Sequence, residues 1–396
     1  MLDQNMPLAE PNTPQAASPL AYALAGLVAL AVAMGIGRFA FTPVMPMMLQ
    51  DAGLSIASGG KLASANYFGY LLGALSAMAL RIRPERAIRG GLVIVAIATM
   101  AMGFSLPFAA WLLLRLLAGF ASAWVLISVS AWCLETLAAY QRPFLNSLVF
   151  AGVGSGIAAV GLLCMVLAQY HAGSAHAWIA FGLLSVIATV LVWRFFPPHA
   201  AAFDGARKAG RSTFRWNADA ARLVCCYGVF GFGYIIPATF LPVMAQNALH
   251  GSAAFGWTWP LFGLAALAST LAVAALKRRM SNRRLWMVSH WIMAVGILLP
   301  VWSPQLLTIF AAALCVGSTF MVITLVALQE AKHVAGRDAT GLIAAMTSAF
   351  AVGQIVGPLT VNVAASGNAS FSVGLVVAAV LLAVSALLLT KTDSDS

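Results

Sequence analysis

Charge is what this chain of 396 residues has least of. Asp, Glu, Lys and Arg make up 8% of it, and the acids number 11 against 22 basic residues. A soluble domain carries about 25% charged residues. That deficit, beside 62% hydrophobic residues, excludes a water-soluble globular protein and predicts an integral membrane protein. Cysteine is scarce too. Cys133, Cys164, Cys225, Cys226 and Cys315 fall in apolar stretches, none at metal-ligand spacing from a histidine. They read as small packing residues, not as disulfides or a metal centre. No nucleotide-binding loop, metal cluster or nucleophile–base set is present, which argues against an enzyme or a primary pump and predicts no cofactor. The N-terminus lacks a basic run and carries Asp3, Glu10 and several prolines, the pattern of a short disordered tail over 1–19 rather than of a cleaved signal.

What is there is a series of apolar runs. At about 20 residues per crossing, they predict an all-α membrane protein of twelve transmembrane helices. The expected spans are 20–49, 59–80, 88–107, 109–137, 144–169, 177–196, 220–246, 256–276, 285–302, 305–330, 339–364 and 370–390. The longest polar stretch, 197–219, holds Arg207, Lys208, Arg211 and Arg215. It reads as a linker between an N-terminal six-helix bundle (20–196) and a C-terminal one (220–391), with a short tail at 392–396. With the N-terminus in the cytoplasm, 19 of the 22 basic residues fall on the cytoplasmic side. That bias predicts two cytoplasmic termini. The net charge of +11 therefore reports topology, not a nucleic-acid partner. Lipid and a small solute are the expected partners, and a monomer the expected state. Tryptophans near span ends, such as Trp111, Trp178 and Trp302, read as interface anchors.

The first span breaks the rules of an ordinary crossing. Gly35–Gln50 reads GIGRFAFTPVMPMMLQ, with Arg38 among apolar residues, glycines at 35 and 37, and prolines at 43 and 46. An arginine at the centre of a lone helix costs about 2.5–3.5 kcal/mol on insertion scales, so Arg38 is expected to face protein, water or a ligand. Proline at membrane depth is tolerated beside a cavity or packed protein. The segment also recurs. A shift of 196 carries Gly35, Gly37, Pro46, Met48 and Gln50 onto Gly231, Gly233, Pro242, Met244 and Gln246, and the basic run Arg81–Arg89 onto Lys277–Leu285. Glu135-x6-Arg142 returns as Glu330-x6-Arg337, shifted by 195. A repeat of six spans is a parallel one, related about an axis along the membrane normal.

Two six-span halves, a basic central linker and basic connections 2–3 and 8–9 resemble the major facilitator superfamily over almost the whole chain. Arg115-x-x-x-Gly119 resembles that superfamily's R-x-x-x-G motif, which in relatives lies near the transport cavity and implies proton coupling. Glu85-Arg86-x-x-Arg89 resembles the loop 2–3 motif without its usual glycines, and the Glu-x6-Arg pairs resemble the inner-gate ion pairs of sugar porters. The run G-x-G-R-F-x-x-T-P-x-x-P, followed by Leu62-Ala-Ser-Ala-Asn-Tyr-Phe-Gly-Tyr-Leu-Leu-Gly73, is similar to the YbfB/YjiJ-like branch. The resemblance implies a secondary transporter of the bacterial inner membrane working by alternating access. A glycine-rich G-x-x-x-G-P motif, found in span five of antiporter branches, stands here in span eleven as Gly353-x-x-x-Gly357-Pro358.

Within the predicted spans the residues farthest from either end that carry charge are Arg38 and Arg115, and no acid lies near the midplane. Two such arginines cost about 5–7 kcal/mol together unless offset. One reading is a positive cavity for a carboxylate or phosphate, whose oxygens match a guanidinium fork, with Thr42, Asn66, Tyr234 and Gln354 as polar neighbours and Tyr234 and Trp124 as rings for stacking. The other reading is that both arginines brace helices through backbone carbonyls and ordered water. At the inner end Glu135, Arg142, Glu330 and Arg337, with Arg86 and Arg89, are expected to form a gate that latches the inner ends together. A transporter-like sensor or scaffold that binds without translocating stays open as the alternative function.

Overall fold

A computed structural model describes residues 18–80, 82–138, 143–197, 216–248, 253–335, 339–363 and 369–390. Most of the linker and of the N-terminal tail, the C-terminal tail, Arg81, Arg142 and Arg337 lie outside the described residues, as does the side chain of Glu135. The chain is helical along nearly all of the described residues. The first crossing is built of α1 (Pro19–Leu30), a π-helical turn (Ala31–Ile36) and α2 (Phe41–Asp51). Then come α3 (Ile56–Ala79), α4 (Pro84–Ala101), α5 (Phe108–Ala138), α6 (Pro143–Gln169) and α7 (Ser174–Val192). Past the linker follow α8 (Ala218–Ala248), α9 (Thr258–Leu276), α10 (Asn282–Trp302), α11 (Leu306–Ala335), α12 (Ala339–Val363) and α13 (Ala369–Leu388).

Among the described residues ten helical stretches are long and apolar enough to cross a membrane. The stretches expected as spans two and three are helices as well, α3 and α4, but are not among the ten. The reason is visible in their residues. Lys61, Ser64, Asn66, Tyr67 and Tyr70 crowd α3, and Glu85, Arg86 and Arg89 open α4. Most of that polar content on α3 points inward: Ser64, Asn66, Tyr67 and Tyr70 are buried. Elements start where capping chemistry starts them. The Ser18 side chain accepts from Ala21 N at 3.3 Å just before Pro19, and that of Ser55 accepts from Ser58 N at 3.1 Å before α3, each meeting an orphan N–H of a first turn.

Helices on the two sides of the linker pack along three seams, α6 on α9, α3 on α12 and α2 on α8. The first is a glycine seam. A Cβ on Gly154 would lie 2.4 Å from Leu267 N, and one on Gly263 2.3 Å from Ala158 N, so backbones meet where bulkier residues would hold them apart. Along the other contacts, hydrogen bonds that join the two sides include Thr42 Oγ1 to Ala238 O at 2.8 Å, Ser64 Oγ to Ile355 O at 3.2 Å, and Tyr67 OH with Thr239 Oγ1 at 3.0 Å. Thr42 and Ala238 are themselves 196 residues apart. Asp51, at the end of α2, accepts from Ser174 N and Oγ at 2.5 and 2.7 Å. A carboxylate at that helix N-terminus is well placed for the dipole.

Candidate functional site

The site begins with a break in the backbone ladder. Around Ala31–Ile36 the bonds lengthen to i→i−5, with Gly37 N reaching Val32 O at 2.9 Å and Phe39 N reaching Met34 O at 3.0 Å. Pro43 has no N–H to offer Phe39 O. Thr42 N turns to that carbonyl instead, at 3.2 Å, and so leaves Arg38 O free of its usual i+4 donor. A carbonyl left unpaired in a buried helix costs about 1–3 kcal/mol, and it has to be met from outside the helix.

Arg115 of α5 meets it. Its Nη2 donates to Arg38 O at 3.1 Å and its Nη1 to Gly37 O at 3.3 Å. Asn66 of α3 donates from Nδ2 to Gly37 O at 3.3 Å and to Arg115 O at 2.9 Å, and Ser122 Oγ donates to Ala33 O at 2.6 Å. The approach depends on Gly119, since a Cβ there would stand 1.9 Å from Asn66 O. The R-x-x-x-G spacing thus has a local cause: one turn after the arginine, α5 must touch the backbone of α3. Arg115 also lies 5.0 Å from the Phe41 ring, a cation–π contact.

Arg38 points the other way, into the seam between the two sides of the linker. Its Nη2 donates to Gln354 Oε1 of α12, and Gln354 Nε2 donates in turn to Tyr234 OH of α8. Its guanidinium carbon sits 4.0 Å from the centre of the Tyr70 ring and 5.4 Å from those of Tyr67 and Phe39. Both arginines are 2% exposed. Among the described residues no carboxylate pairs with either, and Nε of each has no hydrogen-bond partner. Tyr234 is stacked between Phe320 and Phe350, with ring centres 5.8 and 5.7 Å away.

Of the six expected substrate residues, Arg38, Gln354 and Tyr234 form one hydrogen-bonded chain, and Arg115 and Asn66 converge on the backbone beside it. Thr42 binds Ala238 O, a carbonyl that Pro242 cannot serve from the next turn. The residue that sequence reasoning missed is Tyr70. Its signal was its place one turn after Asn66 and Tyr67 on the buried face of α3. Trp124, expected as a stacking ring, stacks instead on Phe120 and donates to Ser76 Oγ at 2.8 Å.

At the basic end, Glu330 accepts from Arg283 Nε at 2.6 Å and from Asn282 Nδ2 at 3.3 Å. Arg283 also pairs with Asp219, which Arg222 reaches at 2.9 Å. These groups tie α8, α10 and α11 together on one side of the linker, and Asp219, Asn282, Arg283 and Glu330 line an open cavity of about 940 Å³. Arg86 is exposed. Arg89 donates to Trp193 O at 2.9 Å and lies 4.7 Å from its ring. Arg142, Arg337 and the Glu135 side chain, the remaining expected gate groups, lie outside the described residues.

Comparison with known proteins gives the frame for this geometry. A relative from Pseudomonas putida described as "Gallate transporter" is 29% identical over 171 residues, which is 43% of this chain and 38% of that protein. The chain thus spans well under half of that relative's length. Residues 30–390 match the family described as "Uncharacterised MFS-type transporter YbfB". The chain belongs to this family of major-facilitator-type transporters and is a multi-pass membrane protein.

Proposed function

We propose that this transporter carries a small organic anion, with an aromatic carboxylate as the class its centre fits best, and that Arg38 holds the carboxylate. One observation carries the reading: a buried guanidinium between the two sides of the linker, hydrogen-bonded to the neutral Gln354 and stacked on Tyr70, with no carboxylate partner among the described residues. Such a charge costs about 2.5–3.5 kcal/mol to bury, and an arriving anion would offset that cost. The rings around it (Tyr67, Tyr70, Phe39, and Tyr234 through Gln354) suit a planar solute. Gallate, the solute named for the relative, is such an aromatic carboxylate.

Arg115 is the positioning residue in this reading. It fixes the carbonyls of Gly37 and Arg38 and so aims Arg38 into the seam. Two six-helix bundles, 20–196 and 220–391, rock about Arg38, Gln354 and Tyr234 across the bacterial inner membrane, with both termini and the basic connections in the cytoplasm. The Asp219–Arg283–Glu330 cluster stiffens the inner end of the second bundle, and the fold works as a monomer. The R-x-x-x-G resemblance supports coupling to protons.

Proteoliposomes holding the purified protein test this directly. Labelled gallate is expected to exchange in counterflow, to be competed by benzoate and not by benzylamine, and to lose accumulation when a protonophore is added. Saturable binding without exchange would point to a ligand-binding sensor and sink the transport reading.

A further inference from the structure

At the end of the molecule away from the basic connections lies a second cavity, of about 230 Å³, which no residue of the Arg38 cluster lines. Its wall comes from both sides of the linker. Pro46 and Pro242, and Gln50 and Gln246, are partners under the 196-residue shift, and all four line it. Its floor is apolar and aromatic, with Met165, Phe255 and Trp259, and Gln169 adds a third amide. Trp259 is 1% exposed, yet its indole N–H has no hydrogen-bond partner. A buried donor left unpaired beside a cavity is a built-in demand for an acceptor.

Size and chemistry narrow what would satisfy it. An apolar cavity of about 150 Å³ holds a benzene, whereas pockets for drug-sized ligands run to about 300–1,000 Å³. A volume near 230 Å³ therefore suits one ring with small substituents. Apart from the thiol of Cys164 the lining carries no ionisable side chain, so the site does not select by charge. Amides offer both donors and acceptors, and the indole offers a donor, which together match ring hydroxyls. Ring contacts run inward from here. Trp259 lies 4.8 Å from Phe262, Phe262 lies 5.4 Å from Phe320, and Phe320 faces Tyr234.

We infer that this cavity is a separate holding site for a monocyclic hydroxylated aromatic, at the outer mouth of the route to Arg38. The inference rests on the reading above for the side it faces and the ring it takes, but not on the role of Arg38. Equilibrium dialysis of labelled phenol against the purified full-length protein tests it. Phenol is expected to bind saturably at about one per chain. Trp259→Phe, which keeps a ring and deletes the N–H, is expected to weaken binding about five-fold, the size of one lost neutral hydrogen bond. Gln50→Leu, on a different helix, is expected to do the same, while Arg38→Ala leaves phenol binding unchanged. Both pocket variants are checked for an unshifted melting temperature. Absence of saturable binding, or equal binding in both pocket variants, overturns the outer site while leaving Arg38-dependent gallate uptake untouched. Loss of the Arg38 requirement with phenol binding intact would overturn only the central reading.

Discussion

Replacing Arg38 with alanine separates binding from folding, because the energies fall differently on the two. In the empty protein the change removes a stack on Tyr70, worth up to about 2 kcal/mol when desolvated. It also leaves Gln354 Oε1 without its donor, at about 1–3 kcal/mol. Against that, it removes a buried charge that costs about 2.5–3.5 kcal/mol. These terms oppose one another and nearly cancel, so the melting temperature is expected to stay close to wild type. With a carboxylate bound nothing cancels. Losing the cationic partner of a desolvated anion costs about 2–5 kcal/mol, and at 1.4 kcal/mol per decade that is about 30- to 4,000-fold in Kd. Arg38→Lys keeps the charge but not the planar fork or the stack, and is expected to fall between. The assay is calorimetric titration with gallate beside thermal unfolding of the same samples. A Kd for Arg38→Ala within three-fold of wild type would refute the assignment, and so would an alanine variant that fails to fold.

Other substitutions bear on the supports around it. Arg115→Gln, which gives up two charge-assisted bonds to the carbonyls of Gly37 and Arg38, is expected to lose about 1.5–3 kcal/mol of stability and to lower the melting temperature where Arg38→Ala does not. Gly119→Ala drives a methyl to within 1.9 Å of Asn66 O, and thermal unfolding should register about 1–3 kcal/mol of overpacking. Thr42→Val keeps shape while leaving Ala238 O unserved, and denaturation should report about 1–3 kcal/mol. Glu330→Gln and Asp219→Asn share Arg283 as partner. A double-mutant cycle on melting should give a coupling of about 0.5–3 kcal/mol, and strict additivity would mean that the two acids do not act as one cluster.

Much of the body plan was legible because a chain in lipid must bond its own backbone, so a 20-residue apolar run has little choice but helix. The same logic marked Gly35–Gln50 as abnormal. What the residues did not disclose is who answers the abnormality. Pro43 announces a missing donor, but the slip of Thr42 N onto Phe39 O, and the resulting vacancy at Arg38 O, emerge only once the turn is built. The replacement donor comes from α5, 77 positions along the chain. Tyr70 escaped notice for a related reason. Its spacing put it on a buried face, yet a ring on such a face is a packing residue until something charged arrives opposite it. At the basic end the Glu-x6-Arg pattern drew attention to Arg337, whereas the described partner of Glu330 is Arg283, one of five basic residues in 277–284 that sequence alone gives no reason to prefer.

The two arginines share a residue type, a depth and a degree of burial, and the carbonyl inventory is what parts them. Arg115 faces a backbone already short of donors. Two of its terminal nitrogens are taken by peptide oxygens, so an incoming anion would have to outbid bonds that hold the first span together. Arg38 faces the neighbouring helix α12 through a side chain and not a carbonyl, and it meets one amide, that of Gln354, and the rings of Tyr70, Tyr67 and Phe39. Of the two, Arg115 is held by backbone carbonyls, whereas Arg38 meets only neutral side chains and rings among the described residues. The break that Pro43 makes supplies both conditions at once. It frees the Arg38 carbonyl that Arg115 Nη2 occupies, on the same residue whose side chain reaches Gln354 and, through it, Tyr234. A proline two positions away would free different carbonyls and turn the guanidinium elsewhere. On this argument the G-x-G-R-F-x-x-T-P run works as a single device: its glycines admit the bracing helices, its proline creates the vacancy they fill, and its arginine is what they present.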